Sequence, residues 1–178
     1  TSYGQDYYGW YTSTFKDTKI TSVDIGTGSA GLYNWAFGNC TALSELTLPG
    51  SVGISYTMKE WANIGTFVNT PKLKTIRFTT DRTVDFNALA FTGQADYTVR
   101  VFVPLKRDGS AHPGWAALET SEDVSNRFTV PTADDLVKFR AAYPDAKNPR
   151  FVWTHGATHW FVNFWYPDGA PGFKVLFR

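Results

Sequence analysis

The sequence predicts a β-rich α/β protein: a short solenoid of stacked parallel strands over residues 1–105, about four repeats long, followed by a small α+β capping module over residues 106–178. Three observations carry this reading. An apolar spacing of +3, +2 recurs through the first hundred residues, a phenylalanine stands upstream of each copy, and the repeat stops after Pro104, where one helix and a set of aromatic strands take over.

Composition permits such a fold and excludes several others. In 178 residues, 17 Lys plus Arg face 16 Asp plus Glu, a formal net charge of +1. A basic footprint for nucleic acid is therefore missing, as is an acidic tail. Aromatics make up 17% and charged residues 19%, so the chain can bury a core and general disorder is excluded. Its length fits one ordinary domain or a short repeat array with an appended module. No apolar run approaches the roughly 20 residues that span a bilayer, so no membrane span is expected. The single cysteine, Cys40, allows neither an intrachain disulfide nor a multi-cysteine zinc site. The opening Thr1-Ser2-Tyr3-Gly4 reads as a mature or trimmed amino terminus, and Arg178 follows an apolar strand-like run as though a longer parent continued.

The repeat is explicit in the residues. Ile20-x-x-Val23-x-Ile25 recurs as Leu43-x-x-Leu46-x-Leu48, 23 residues on, and as Leu73-x-x-Ile76-x-Phe78, a further 30 on. A looser fourth copy places Val101 and Val103, with Tyr97 in the leading position after one insertion. Phe15, Phe37, Phe67 and Phe91 stand upstream of the four copies. Such a run is a short strand whose alternate residues point inward, preceded by a turn that adds one more apolar side chain to the interior. One repeat cannot cover its own apolar face, so copies stack into a parallel sheet with Phe and Leu ladders inside. This is the logic of a leucine-rich-repeat solenoid. The 30-residue spacing implies about seven extra residues around Met58 to Gly65.

One copy carries more than spacing. Ala36-Phe37-Gly38-Asn39-Cys40-Thr41-Ala42-Leu43-Ser44-Glu45-Leu46-Thr47-Leu48-Pro49-Gly50-Ser51-Val52 resembles the A-F-x-x-C-x-x-L-x-x-[IL]-x-[IL]-P-x-x-[VI] consensus of BspA-type leucine-rich repeats. Neighbouring copies depart from it: Thr70 replaces the cysteine and Pro49 has no counterpart after Phe78, while Ala90-Phe91 and Val101-Phe102-Val103-Pro104 keep the two ends. The resemblance spans residues 15–105. It implies a parallel-stranded solenoid, export to a bacterial surface, and binding of proteins or other macromolecules. It also implies that Trp115, beyond Val103-Pro104, closes the stack.

In the module, residues 106–114 read as a polar turn. Thr132 is the expected N-cap of a helix with Asp134 and Asp135 in its first turn and Leu136, Phe139, Arg140 and Tyr143 at helical spacing, ended by Pro144. Phe151 to Thr154 and His159 to Tyr166 read as two strands around Gly156, with Phe173 to Phe177 as a third. A small antiparallel sheet with one covering helix is expected. Trp160 to Tyr166 is aromatic on both faces and so belongs in a central, doubly covered strand or pairs outside the chain.

Catalysis finds no support in the sequence. His155 and His159 are four apart, the spacing of a helical metal pair, but they flank Gly156-Ala157-Thr158 between strands and read as hairpin residues. His112 reads as solvated. Cys40 falls at an interior repeat position and no G-x-S-x-G elbow is present, so neither a thiol nor a serine nucleophile is indicated. Asp134-Asp135 belong to the helix start and Glu122-Asp123 to a loop, which leaves no acid pair for glycoside hydrolysis. Gly26-Thr27-Gly28-Ser29-Ala30-Gly31 begins as G-x-G but no helix pattern follows. No cofactor or metal is expected.

Recognition fares better, because the repeat register assigns outward side chains. Asp24, Thr47, Arg77 and Phe102 form one row, and Ser22, Glu45, Thr75 and Arg100 the next, tiling the exposed strand face with a mixed polar surface and one aromatic. The expected function is a secreted or cell-surface, non-enzymatic binding protein for adhesion, its partner a protein or an extracellular-matrix or host-surface ligand. Aromatic platforms offer the alternative, a glycan-binding module that uses Tyr7, Tyr8, Trp10 and Tyr11 at one end and Trp153, Trp160 and Trp165 at the other. An accessory domain of a larger surface enzyme is a third reading.

Overall fold

A computed structural model describes residues 2–3, 15–25, 30–32, 36–48, 52–54, 67, 69–79, 97–122, 127–155 and 158–167. Phe91, the Met58 to Gly65 insertion, Tyr7 to Tyr11 and the expected strand at Phe173 to Phe177 lie outside them. The elements in chain order are β1 (Ser2–Tyr3), β2 (Ser22–Asp24), β3 (Ala30–Leu32), β4 (Glu45–Leu48), β5 (Val52–Ile54), β6 (Thr75–Phe78), β7 (Tyr97–Pro104), α1 (Pro113–Ala116), a 3-10 turn (Ala117–Glu119), α2 (Ala133–Ala142), β8 (Phe151–His155) and β9 (Thr158–Trp165). They form a mixed α/β fold with a mostly parallel six-stranded sheet, ordered β2-β4-β6-β7-β9-β8, and a separate parallel sheet of β1, β3 and β5.

The strands lie where the apolar spacing puts them. β2, β4, β6 and β7 are adjacent and parallel, with Val23, Leu46, Ile76 and Val101 as successive register partners. Alternation then sends every second side chain to the interior: Leu46, Leu48, Ile76, Phe78, Val101 and Val103 are fully buried. At the β2 edge the equivalent Val23 and Ile25 are only partly buried. Upstream, Phe15, Phe37 and Phe67 stack with centroids 5.2 and 5.6 Å apart and planes within 11° of parallel. The expected phenylalanine ladder is present at these three positions.

The turns that follow the phenylalanines also stack. Asp17, Asn39 and Asn69 have left-handed backbones, with φ of 60, 58 and 52°, a conformation that Asn and Asp tolerate better than other residues with a Cβ. One position later come Thr18, Cys40 and Thr70. Thr18 Oγ1 and Cys40 Sγ both donate to the Phe15 carbonyl, each at 2.7 Å, and Thr70 Oγ1 donates to the Phe67 carbonyl at 3.2 Å. Cys40 is fully buried, and burial raises its thiol pKa. The interior structural thiol expected from the sequence is what the fold contains.

At Pro104 the sheet does not stop, and here the structure corrects the expectation of a separate antiparallel sheet. β9 pairs in parallel with the whole of β7, from Tyr97 opposite Thr158 to Pro104 opposite Trp165, and only β8 is antiparallel, at the far edge. The boundary at residue 105 therefore falls within the span of one continuous sheet. The physical reason is the aromatic content of β9: a strand apolar on both faces buries both only from a central position, and Trp160, Phe161 and Val162 are at most 1% exposed there.

Helix α2 begins at the expected N-cap. Thr132 accepts from the Asp135 backbone N–H at 3.2 Å, and the Asp135 carboxylate accepts from the Thr132 backbone N–H at 2.8 Å, a complete capping box. Its inner residue, Phe139, packs edge-on against Phe161 at 5.0 Å and forms a small cluster with Val152, bordered by Tyr143 and Ala146. Trp115, fully buried, lies 5.1 Å from Phe78 at the end of the main core.

Candidate functional site, the outward face of the sheet

The two predicted rows exist in the predicted order. Ser22, Glu45, Thr75 and Arg100 are successive register partners, as are Asp24, Thr47, Arg77 and Phe102. Both rows continue onto β9, Arg100 to Phe161 and Phe102 to Asn163. That continuation is not expected from the sequence, because His159 to Trp165 is apolar on both faces and shows no inward-outward alternation.

Exposure along the rows is uneven, which corrects the expectation of an open face across all eight residues. Ser22, Asp24 and Glu45 are exposed and Thr47, Arg77, Arg100 and Phe102 half-buried, while Thr75 is buried at 8%. The cause is α2, which covers the sheet at Phe161 and Val152 and brings Tyr143 over the adjoining strands. The Tyr143 hydroxyl donates to the carbonyls of Lys74 and Thr98, each at 3.0 Å. Burial pushes the Tyr143 pKa up to about 12, against the lowering effects of its hydrogen bond at Thr98 and the Arg100 charge. The sequence places Tyr143 only at helical spacing with Leu136, Phe139 and Arg140.

The charged side chains are ordered by aromatic rings and by each other. Glu45 and Arg77 are diagonal neighbours on adjacent strands, and their ion pair closes at 2.9 Å. In its exposed setting the pair contributes under about 1 kcal/mol. The Arg77 guanidinium lies 5.4 Å from the centre of the Phe102 ring, its direct register partner, and Arg100 lies 4.9 Å from the same ring. Arg100 also lies 5.5 Å from the Tyr143 ring. Guanidinium groups favour such ring faces, the more so as water is excluded. The result is charge polarity across the strands, with Asp24 and Glu45 on β2 and β4 and Arg77 and Arg100 on β6 and β7.

Histidines 155 and 159 do not share a helix face; they sit in antiparallel strands, opposite Thr158 and Thr154. Among the described residues no group of three His, Cys, Asp or Glu side chains could hold a metal ion. The tryptophans expected as glycan platforms are largely interior: Trp153 and Trp160 are 2% and 1% exposed and pack on each other at 5.6 Å. Trp165 is half-buried and donates its indole N–H to the Phe78 carbonyl at 2.8 Å. Among the described residues no helix is long and apolar enough to cross a membrane. Comparison with protein-family models, curated proteins and solved structures finds no match to this chain.

Proposed function

We propose that this chain is a non-enzymatic, exported binding protein of the BspA-like leucine-rich-repeat type. In this reading β2, β4, β6 and β7 each belong to one repeat of a short solenoid, and the protein acts in adhesion or protein interaction at a bacterial surface through the outward face of those strands. The observation that supports it best is the alignment of Ser22-Glu45-Thr75-Arg100 and Asp24-Thr47-Arg77-Phe102 across four parallel strands. A repeated strand places the same positions on one face in each copy, and a mixed polar array of this kind suits a macromolecular surface better than a small molecule. The partner is a protein or an extracellular-matrix or host-surface ligand. A glycan platform built on Trp153 and Trp160 has less support, because a ring stacked in the core offers no face to a sugar.

The test is retention of a panel of purified extracellular-matrix proteins on the immobilised chain, compared with Arg77→Ala and Phe102→Ala. At least one panel member is expected to be retained by the wild type and lost by both variants. Retention of none, or retention indifferent to both substitutions, would overturn the reading.

A further inference from the structure

We infer that the part of the sheet face formed by Arg77, Phe102 and Arg100 is a receptor for carboxylate side chains, and that it docks an acidic polypeptide segment of the partner. The inference deepens the proposed binding function and rests on it. Three observations carry it. The Arg100 guanidinium lies 4.9 Å from the centre of the Phe102 ring and 5.5 Å from that of Tyr143, and packing on two rings restricts the orientation of its planar group before any ligand arrives. Its Nε is buried without a hydrogen-bond acceptor, and no carboxylate pairs with the side chain among the described residues. Arg77, 5.4 Å from the same Phe102 ring, has a carboxylate in Glu45, and that ion pair shows the geometry such a group adopts on this face.

Charge complementarity selects the occupant. The basic end of the face holds Arg77 and Arg100, with Lys138 on α2 near His159. The acids near it are Glu45, engaged by Arg77, and Asp24 two strands away. A cationic partner would meet two guanidiniums; an acidic one supplies Arg100 with charge-assisted hydrogen bonds and competes with Glu45 for Arg77. An aromatic ring contacted by two guanidiniums restrains both at low entropic cost, which favours recognition of a planar carboxylate.

The experiment measures binding of a fluorescein-labelled oligoglutamate peptide to the full chain by anisotropy at low ionic strength, with a heparin oligosaccharide as competitor. Arg100→Gln is expected to weaken binding by about tenfold, the loss of one charge-assisted contact. Glu45→Gln is expected to tighten it by about threefold by releasing Arg77. That gain cannot come from misfolding, so it decides the question even if Arg100→Gln unfolds the sheet. Binding should also weaken as salt is raised. Absence of oligoglutamate binding, or binding unchanged by Glu45→Gln, overturns the inference; binding of heparin without oligoglutamate overturns it in favour of a sulfated glycan. If matrix proteins are retained through Phe102 while Glu45→Gln leaves peptide binding unchanged, the surface reading stands and this inference fails.

Discussion

Asn69 donates from Nδ2 to the Oδ1 of Asn39 at 3.0 Å, and Asn39 in turn donates to Asp17 Oδ1 at 2.8 Å, so three left-handed turn residues are joined into one side-chain ladder. Each stands two positions after a stacked phenylalanine. The same residue therefore supplies the backbone conformation that the turn needs and the bond to the neighbouring turn. An amide both donates and accepts, so Asn39 can continue the chain in both directions while also tolerating the left-handed backbone.

The two contributions separate on mutation. Asn39→Gly keeps the left-handed backbone accessible and loses the side-chain bonds, for an expected cost of about 1 kcal/mol. Asn39→Ala loses the bonds and adds the left-handed penalty, for about 2 kcal/mol. Urea unfolding followed by tryptophan fluorescence checks the order; equal stabilities for the two variants would refute the backbone part of the argument.

How much of this was legible in the sequence follows from how local each determinant is. The spacing of Leu46, Leu48, Ile76 and Phe78 is a property of six-residue runs, and it specified strand register and the outward partners Thr47 and Arg77 correctly. A one-residue slip would have turned every apolar side chain to solvent. The Asp17, Asn39 and Asn69 ladder is present in the sequence as F-x-[D/N] before three of the four copies, but its meaning is a backbone angle that spacing does not express. The pairing of β7 with β9 joins residues about sixty positions apart, and nothing local encodes it beyond the double-sided apolar content of β9. Burial of Thr75 had the same origin, since α2 is brought to the sheet by long-range contacts, Phe139 with Phe161 and Tyr143 with the Lys74 and Thr98 carbonyls.

Cys40 should behave as a core side chain with a vulnerability to large residues. Threonine occupies the equivalent turn positions at 18 and 70, and Thr70 Oγ1 finds the Phe67 carbonyl, so Cys40→Thr is expected to cost no more than about 1 kcal/mol. Cys40→Leu overfills a fully buried site and should cost about 1–3 kcal/mol. Burial raises the thiol pKa above its ordinary 9.0, so in the alkaline range the unfolded thiol ionises first. The stability contribution is complete below that range and is lost as pH climbs through it. Native Cys40 should resist iodoacetamide at neutral pH and react only in step with urea unfolding; rapid labelling of the folded chain would contradict its placement.

Tyr143 ties α2 to the sheet, and its replacement by phenylalanine isolates the hydroxyl, because the ring facing Arg100 at 5.5 Å is retained. The hydroxyl donates to the Lys74 and Thr98 carbonyls. The Lys74 carbonyl also accepts from the Arg100 backbone N–H at 2.9 Å, so it keeps one partner and the expected loss at neutral pH is about 1 kcal/mol. The pH dependence follows from the direction of the shift. Folding holds the phenol protonated up to about 12, whereas the unfolded chain ionises near its ordinary value of 10. The bond's contribution is therefore complete below pH 10 and disappears as pH rises through about 12. Tyr97, buried with its hydroxyl on the carbonyls of Thr70 and Leu73, has a raised pKa as well, so Tyr143→Phe removes one part of the alkaline loss and leaves the other. Unfolding free energies of wild type and Tyr143→Phe should converge as pH increases from 9 to 12, and phenolate absorbance should show one fewer late-titrating tyrosine in the variant. No stability difference at neutral pH would mean that Tyr143 holds α2 through its ring alone, and a difference that stays constant across that range would contradict the raised phenol pKa.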